Sequence, residues 1–153
     1  MKGLELKVPP LILAVIFGAG MWAVSRLLPA GHFVLPGRLW LSAAVFGVGA
    51  CVAILGVLEF RAAGTTVDPR TPDQSENLVV NGIYRYSRNP MYLGFFLLLV
   101  AWGIFLGSVF SWLLLPLFVI YMNRFQILPE ERHMRVLFGD VYERYMSQVR
   151  RWL

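Results

Sequence analysis

Residues 89–123 form an unbroken run of 35 residues without a charge, mostly apolar, bounded by Arg88 and Arg124. As one helix the run would be ~52 Å long, well beyond the ~30 Å hydrocarbon core of a bilayer. It must fold back on itself. Gly107 and Ser108 are the natural turn, which splits the run into residues 91–106 and 109–123, two shortish spans of a tight helical hairpin. Both charged ends then return to one membrane face, and Pro116 should kink the second span.

Two further spans precede the hairpin. Residues 39–58 are uncharged over 20 positions, the length that crosses a bilayer. Gly47, Gly49 and Gly56, with Ala43, Ala44, Ala50 and Ala53, give this span small-residue surface on which another helix can pack closely. Residues 8–24 are apolar, with Pro9 and Pro10 at the opening, and the span ends near Leu28. The run is long for a secretory signal and shows no clear small-residue cleavage site where Arg26 and Leu27 follow. Pro29 to Arg38 reads as a short loop. With 58% hydrophobic residues, 15% charged residues and a mean hydropathy of +0.62, the chain is too apolar for a soluble domain of its length.

After Pro129, Met134, Leu137, Phe138, Val141, Tyr142, Tyr145, Met146 and Val149 recur at helical spacing, opposite Arg132, Arg135, Asp140, Glu143, Arg144 and Gln148. This predicts an amphipathic helix lying on the membrane or across the bundle. The expected fold is therefore all-α: a polytopic membrane helix bundle with four transmembrane helices, a helical hairpin and a C-terminal amphipathic helix. Residues 1–60 would form two N-terminal spans, and residues 61–153 a core of loop, hairpin and tail helix.

Four spans put both termini and residues 61–88 on one side. That side holds twelve of the 14 basic residues, while only Arg26 and Arg38 fall on the other. The excess predicts cytoplasmic termini, in a plasma (inner) membrane. A net charge of +5 in so apolar a chain reads as topology signals and contacts to membrane lipids, so nucleic acid is set aside as a partner. Cys51, the only cysteine, sits in an apolar run and reads as a small core residue rather than a nucleophile.

Polar chemistry concentrates in Gly82-Ile83-Tyr84-Arg85-Tyr86-Ser87-Arg88-Asn89-Pro90-Met91-Tyr92-Leu93-Gly94, where arginines and tyrosines crowd against an apolar wall. Asn89 precedes a proline and reads as an N-cap. Pro90 suits the first helical position, and Tyr92 lies on the first turn. A helix N-terminus so equipped suits a carboxylate. The plainer reading is an interfacial belt of Arg and Tyr. Residues 61–81 are a long polar connector leading into this stretch, and loops of that length are often functional. Glu130 and Glu131 after Pro129 fit ordinary helix-start chemistry when taken alone.

The stretch at 82–94, followed by Glu130-Glu131, Phe138-Gly139 and Tyr142-x-x-Tyr145, resembles the superfamily of isoprenylcysteine carboxyl methyltransferases and phospholipid methyltransferases, integral membrane enzymes. The resemblance covers residues 64–152. It implies S-adenosyl-L-methionine held at the cytoplasmic end of the hairpin beneath the tail helix, with a lipid-side opening for the acceptor. Carried over by position, cofactor contacts fall at Asn77, Leu78, Val79, Tyr84, Asn89, Pro90, Met91, Tyr92 and Glu130. The family often has His at the place of Asn89, which keeps hydrogen bonding and lacks an imidazole.

The residue types suit methyl transfer in their own right. Displacement at a sulfonium needs donor and nucleophile held in line with water excluded, and no covalent nucleophile. Glu130 can pair with an ammonium or grip hydroxyls, Arg88 can take a carboxylate, and Tyr84 or Tyr92 can face the sulfonium or stack on adenine. A carboxylate or thiolate acceptor needs no base, whereas an amine must lose a proton. His133 is the candidate base, although a solvated histidine is its plainer reading, and His32 lies on the far side. The lipophilic acceptor stays open among prenylcysteine, phospholipid amine, thiol and phenol. Its pocket is completed by the first two helices or by a second subunit of a homo-oligomer. A phospholipid N-methyltransferase, an NADPH-dependent enzyme like the sterol reductases and a non-catalytic membrane module are the competing readings.

Overall fold

A computed structural model describes residues 5–63 and 78–153. All long elements are helices: α1 (Pro10–Leu27), α2 (Arg38–Ala62), α3 (Pro90–Leu106), α4 (Val109–Trp112), α5 (Leu114–Met122) and α6 (Leu128–Gln148). α1, α2 and the helical run that starts at Val109 are each long and apolar enough to cross a membrane. α3 is apolar throughout but has 17 residues, ~25 Å, slightly short of the hydrocarbon thickness. The fold is an all-α membrane helix bundle. Less than a quarter of the spanning windows of α1 and α2 is buried, and Leu11, Val15, Trp40, Phe46 and Ile54 point outward, as lipid-facing residues must.

The hairpin turns where expected. Gly107 closes α3 in the left-handed conformation at φ 60°, a geometry that side chains with a Cβ resist. The second strand of the hairpin is not one smooth helix, and its irregularities follow from its prolines. Pro116 has no N–H to offer the carbonyl of Trp112, and the helix is interrupted there between α4 and α5. Pro129 likewise leaves the carbonyl of Phe125 without a helical donor, and residues Asn123–Ile127 widen into a π turn. The freed Phe125 carbonyl accepts instead from the backbone N–H of Leu6 at 3.0 Å, while Gln126 Nε2 donates to the Val8 carbonyl at 2.6 Å. The N-terminal segment is thereby docked beside the base of α6.

α3 is the central helix. It packs chiefly on α2, through the small-residue face expected of residues 39–58. A Cβ on Gly94 would lie 2.6 Å from the Ala53 Cβ and 2.8 Å from the Gly49 carbonyl oxygen, so the two backbones nearly touch. Gly49 and Gly56 are equally close to α3, whereas Gly47 faces open space. On the other side α1 is tied to the hairpin by Trp102 Nε1 donating to the Gly18 carbonyl and Ser111 Oγ donating to that of Met21. Between them lies the core of Leu13, Met21, Tyr92, Leu99, Leu115, Phe118, Met122 and Ile127.

The tail departs from a straight amphipathic helix. Gly139 (φ 49°, ψ −127°) breaks α6 into two arms. Arg135 therefore reaches Glu143 at 3.1 Å, eight residues on, a separation of ~12 Å in a straight helix. Because the second arm turns, Leu137 and Val141 of the expected apolar face are exposed, while Tyr142 and Tyr145 are buried.

Replacing Gly94 by Val should lower the thermal stability of the detergent-solubilised protein by about 1–3 kcal/mol, since the α2–α3 contact has no room for it. Gly47→Ala, read in the same melting experiment, should leave stability nearly unchanged.

Candidate functional site

The N-terminus of α3, the short turn Gly82–Arg85 and the start of α6 converge on one face of the bundle. Pro90 occupies the first helical position as predicted. Asn89 stands at the N-cap position but does not cap. Its backbone (φ −132°, ψ 56°) makes no side-chain capping bond, and its Nδ2 donates to the Arg151 carbonyl at 2.9 Å. The reason is competition: Ser87 Oγ accepts from the Asn89 N–H at 3.1 Å, which fixes the turn, and the last residues of the chain offer Asn89 a partner.

Those last residues form a strap. The Arg88 N–H donates to the Arg150 carbonyl at 3.0 Å, Trp152 Nε1 donates to Asn123 Oδ1 at 3.0 Å, and the Trp152 ring packs on Phe96. Arg151 places Nε and Nη2 on the two carboxylate oxygens of Glu131 at 3.0 and 2.8 Å, a bidentate pair. The bond to Glu131 holds the Arg151 guanidinium above its ordinary range, against the opposing effect of burial. Glu131 also takes Arg88 Nη2 at 3.2 Å. One buried carboxylate thus holds two guanidiniums.

Glu130, its neighbour, points elsewhere. Tyr92 donates its hydroxyl hydrogen to Glu130 Oε1 at 2.5 Å. Burial pushes the Glu130 carboxyl up to about 8, with the Tyr92 hydrogen bond opposing and the Glu131 charge adding to the shift. Tyr84 sits on the Gly82–Arg85 turn against the ring of Phe60, and its carbonyl accepts from the Tyr145 hydroxyl at 2.7 Å. Burial keeps the Tyr84 and Tyr145 hydroxyls neutral and pushes Tyr142 up to about 12.

These side chains enclose a cavity of about 90 Å³. Of the residues expected to contact a cofactor, Leu78, Val79, Tyr84, Asn89, Met91, Tyr92 and Glu130 line it, and so does Arg88. Pro90 does not line it. It is fully buried at the start of α3, where its ring packs against the bundle. Asn77 lies outside the described residues. His133 is exposed and does not line the cavity. Sequence reasoning missed Phe60, Ile127, Met134, Glu131, Tyr142 and Tyr145 as lining residues. The spacing of Tyr142 and Tyr145 on one helical face was the available signal for the tyrosines, whereas Glu131 looked like helix-start chemistry.

Three buried polar atoms facing this region have no hydrogen-bond partner among the described residues: Arg88 Nε, Arg88 Nη1 and the Tyr84 hydroxyl. Buried donors left unpaired are costly, so the cavity is built to receive acceptors.

A membrane helix bundle with a buried acid, a half-paired guanidinium and a ring of tyrosines at one end is the class of protein so defined. The sequence pattern of phospholipid methyltransferases matches residues 37–141, more than half of the chain, and the chain belongs to that family. It is 46% identical over 63 residues to an uncharacterised protein of Haemophilus influenzae, a match that spans 41% of this chain and all of that protein. It is also 39% identical over 72 residues to a protein-S-isoprenylcysteine O-methyltransferase of Schizosaccharomyces pombe, covering 47% of this chain and 30% of the yeast protein. No solved structure matches the chain.

Glu131→Ala should leave two guanidiniums facing each other without their shared counter-charge and cost about 3 kcal/mol or more of stability, read by thermal or denaturant unfolding in detergent. Arg135→Gln, whose pair with Glu143 is exposed, should change stability by less than about 1 kcal/mol.

Proposed function

We propose that the protein is an S-adenosylmethionine-dependent methyltransferase that passes a methyl group to a lipophilic acceptor. The observation that carries the reading is the pairing of unsatisfied donors with a poised acid in one buried cavity. Arg88 Nε and Nη1 and the Tyr84 hydroxyl await acceptors, and Glu130 lies on the same wall. That set fits the amino-acid end of the donor. Arg88 would take its carboxylate while Glu131 holds the rest of the guanidinium in place. Glu130 would pair with its ammonium, oriented by the Tyr92 hydroxyl.

When bound, S-adenosylmethionine supplies an electrophilic methyl group on a sulfonium. The chain positions and encloses it. The tyrosine faces attract positive charge, and the apolar side chains of Phe60, Met91, Ile127 and Met134 exclude water. Adenosine-sized ligands exceed the 90 Å³ present, so the cavity would have to widen to admit one.

Access from the lipid supports a lipophilic acceptor. A hollow of about 310 Å³ between α2 and α3, lined by Ala53, Ile54, Val57, Leu58 and Phe95, shares Met91 with the polar cavity and has Arg61 at its rim. A hydrocarbon chain can lie there with its head toward the site. Among the described residues that line the polar cavity there is no histidine, and Glu130 is committed to the ammonium. An acceptor that arrives already ionised, a carboxylate of the isoprenylcysteine kind or a thiolate, therefore suits the site better than a phospholipid amine. The excess of arginine on this face supports a cytoplasmic position for the site and both termini.

Calorimetric titration of the purified protein with S-adenosylmethionine, and separately with NADPH, tests the reading. S-adenosylmethionine alone should bind. Because burial holds Glu130 mostly protonated below about pH 8, pairing with an ammonium lowers its pKa and expels a proton. Affinity should therefore rise with pH by up to tenfold per unit and level off above about 8, with proton release visible between buffers of different ionisation enthalpy. Glu130→Gln should lose both the binding and its pH dependence. Binding of NADPH alone, or of neither ligand, would sink the proposal.

A further inference from the structure

At the opposite end of the bundle, a second hollow of about 410 Å³ lies between the end of α1, the loop to α2 and the end of α3. It contains Arg26 and Arg38, the two basic residues that the charge pattern sets apart from the other twelve. Among the described residues, the stretches from which this end is drawn, within 6–58 and 89–129, contain neither Asp nor Glu. Both guanidiniums are nonetheless held in place. Arg26 lies 5.9 Å from the centre of the Trp22 ring. Arg38 reaches across the hairpin turn, where its Nη1 lies 2.9 Å from the point a Cβ on Gly107 would occupy, so the missing side chain is what admits it. The loop between them is itself anchored: Phe33 N–H donates to the Gly107 carbonyl at 2.9 Å, and His32 Nε2 and Ser25 Oγ share a hydrogen bond of 2.9 Å.

A second cavity adjoins the first. About 500 Å³ in volume and almost wholly apolar, it runs along the outer groove between α2 and α3 past Ala43, Phe46, Leu98 and Ala101, and shares Trp102 and Phe105 with the arginine-lined hollow. Two guanidiniums without a counter-charge above an apolar groove open to lipid have the outline of a phospholipid, with phosphate at the top and an acyl chain below. We propose that this end of the protein is a binding site for an anionic phospholipid, its phosphate held by Arg26 and Arg38 and one acyl chain lying in the α2–α3 groove. A helix length of ~25 Å separates it from Glu130, so the lipid held here is distinct from the methyl acceptor.

Native mass spectrometry of the protein released from micelles with equal amounts of phosphatidylglycerol and phosphatidylcholine of matched chains tests the site. The unaltered protein should retain phosphatidylglycerol with about a tenfold preference, because two arginines favour a net negative headgroup over one whose choline ammonium offsets its phosphate. Arg26→Gln with Arg38→Gln should abolish the preference, and Arg144→Gln at the other end should keep it. A preference that survives the double substitution would overturn the proposal. Displacement of the lipid by millimolar inorganic phosphate alone would overturn the lipid assignment in favour of a soluble phosphate. A photoactivatable phosphatidylglycerol gives a readout on the unaltered chain. Crosslinks should fall within residues 22–46 and 98–106, and crosslinks confined to the opposite end would equally refute the site.

Discussion

The Glu131 carboxylate is the point on which the functional end of this protein turns. It is buried, and so is most of Arg88, which means that each would be strongly penalised without the other. Sharing the carboxylate between Arg88 and Arg151 fixes three parts of the chain at once: the turn before α3, the start of α6 and the terminal strap. The arrangement also leaves Arg88 incompletely satisfied, with Nε and Nη1 buried and unpaired. Structure and chemistry are joined here. The carboxylate that holds the guanidinium in the interior neutralises one edge of it and leaves the other edge facing the cavity unpaired.

Glu130, one residue earlier, shows how adjacent acids acquire different roles from direction alone. On a helix, consecutive residues point about 100° apart, so Glu131 turns toward the strap and Glu130 toward Tyr92. The first meets two cations and serves as their counter-charge. The second meets a neutral hydroxyl and apolar walls, and burial raises its pKa. A pair that reads as one motif in the sequence is thus a structural ion in one position and a responsive acid in the other.

What was legible in the sequence was governed by length and by punctuation. A charge-free run too long for one crossing had to turn, and Gly107 was where it turned. Pro90 began α3, and the small residues of α2 met it closely, Gly49 and Ala53 at Gly94 and Gly56 at Met91 and Pro90. The features that escaped were set by partners distant in sequence. Asn89 has the composition of a cap, but the Arg151 carbonyl claims its amide. The apolar stripe of the tail assumed a straight helix, and the dihedrals of Gly139 rotate its second half. Glu131 reads as a helix-start acid because nothing local announces that Arg88 and Arg151 will close on it. Periodicity reports which face is buried, and it is silent about a single residue whose backbone leaves the helical region.

The terminal strap has a consequence for the order in which the protein is made. The apolar helices α1, α2, α3 and α4–α5 all lie before residue 124 and can enter the bilayer as they emerge from the ribosome. Arg151 and Trp152, which tie Glu131 and Asn123 into place, are synthesised after every one of them. Until they arrive, Glu131 has one cation instead of two, and the polypeptide in front of α3 lacks the carbonyls that hold Arg88 and Asn89. Insertion into the membrane and completion of the site are therefore separate events in time. A nascent chain can be fully threaded through the bilayer and still lack an assembled cavity.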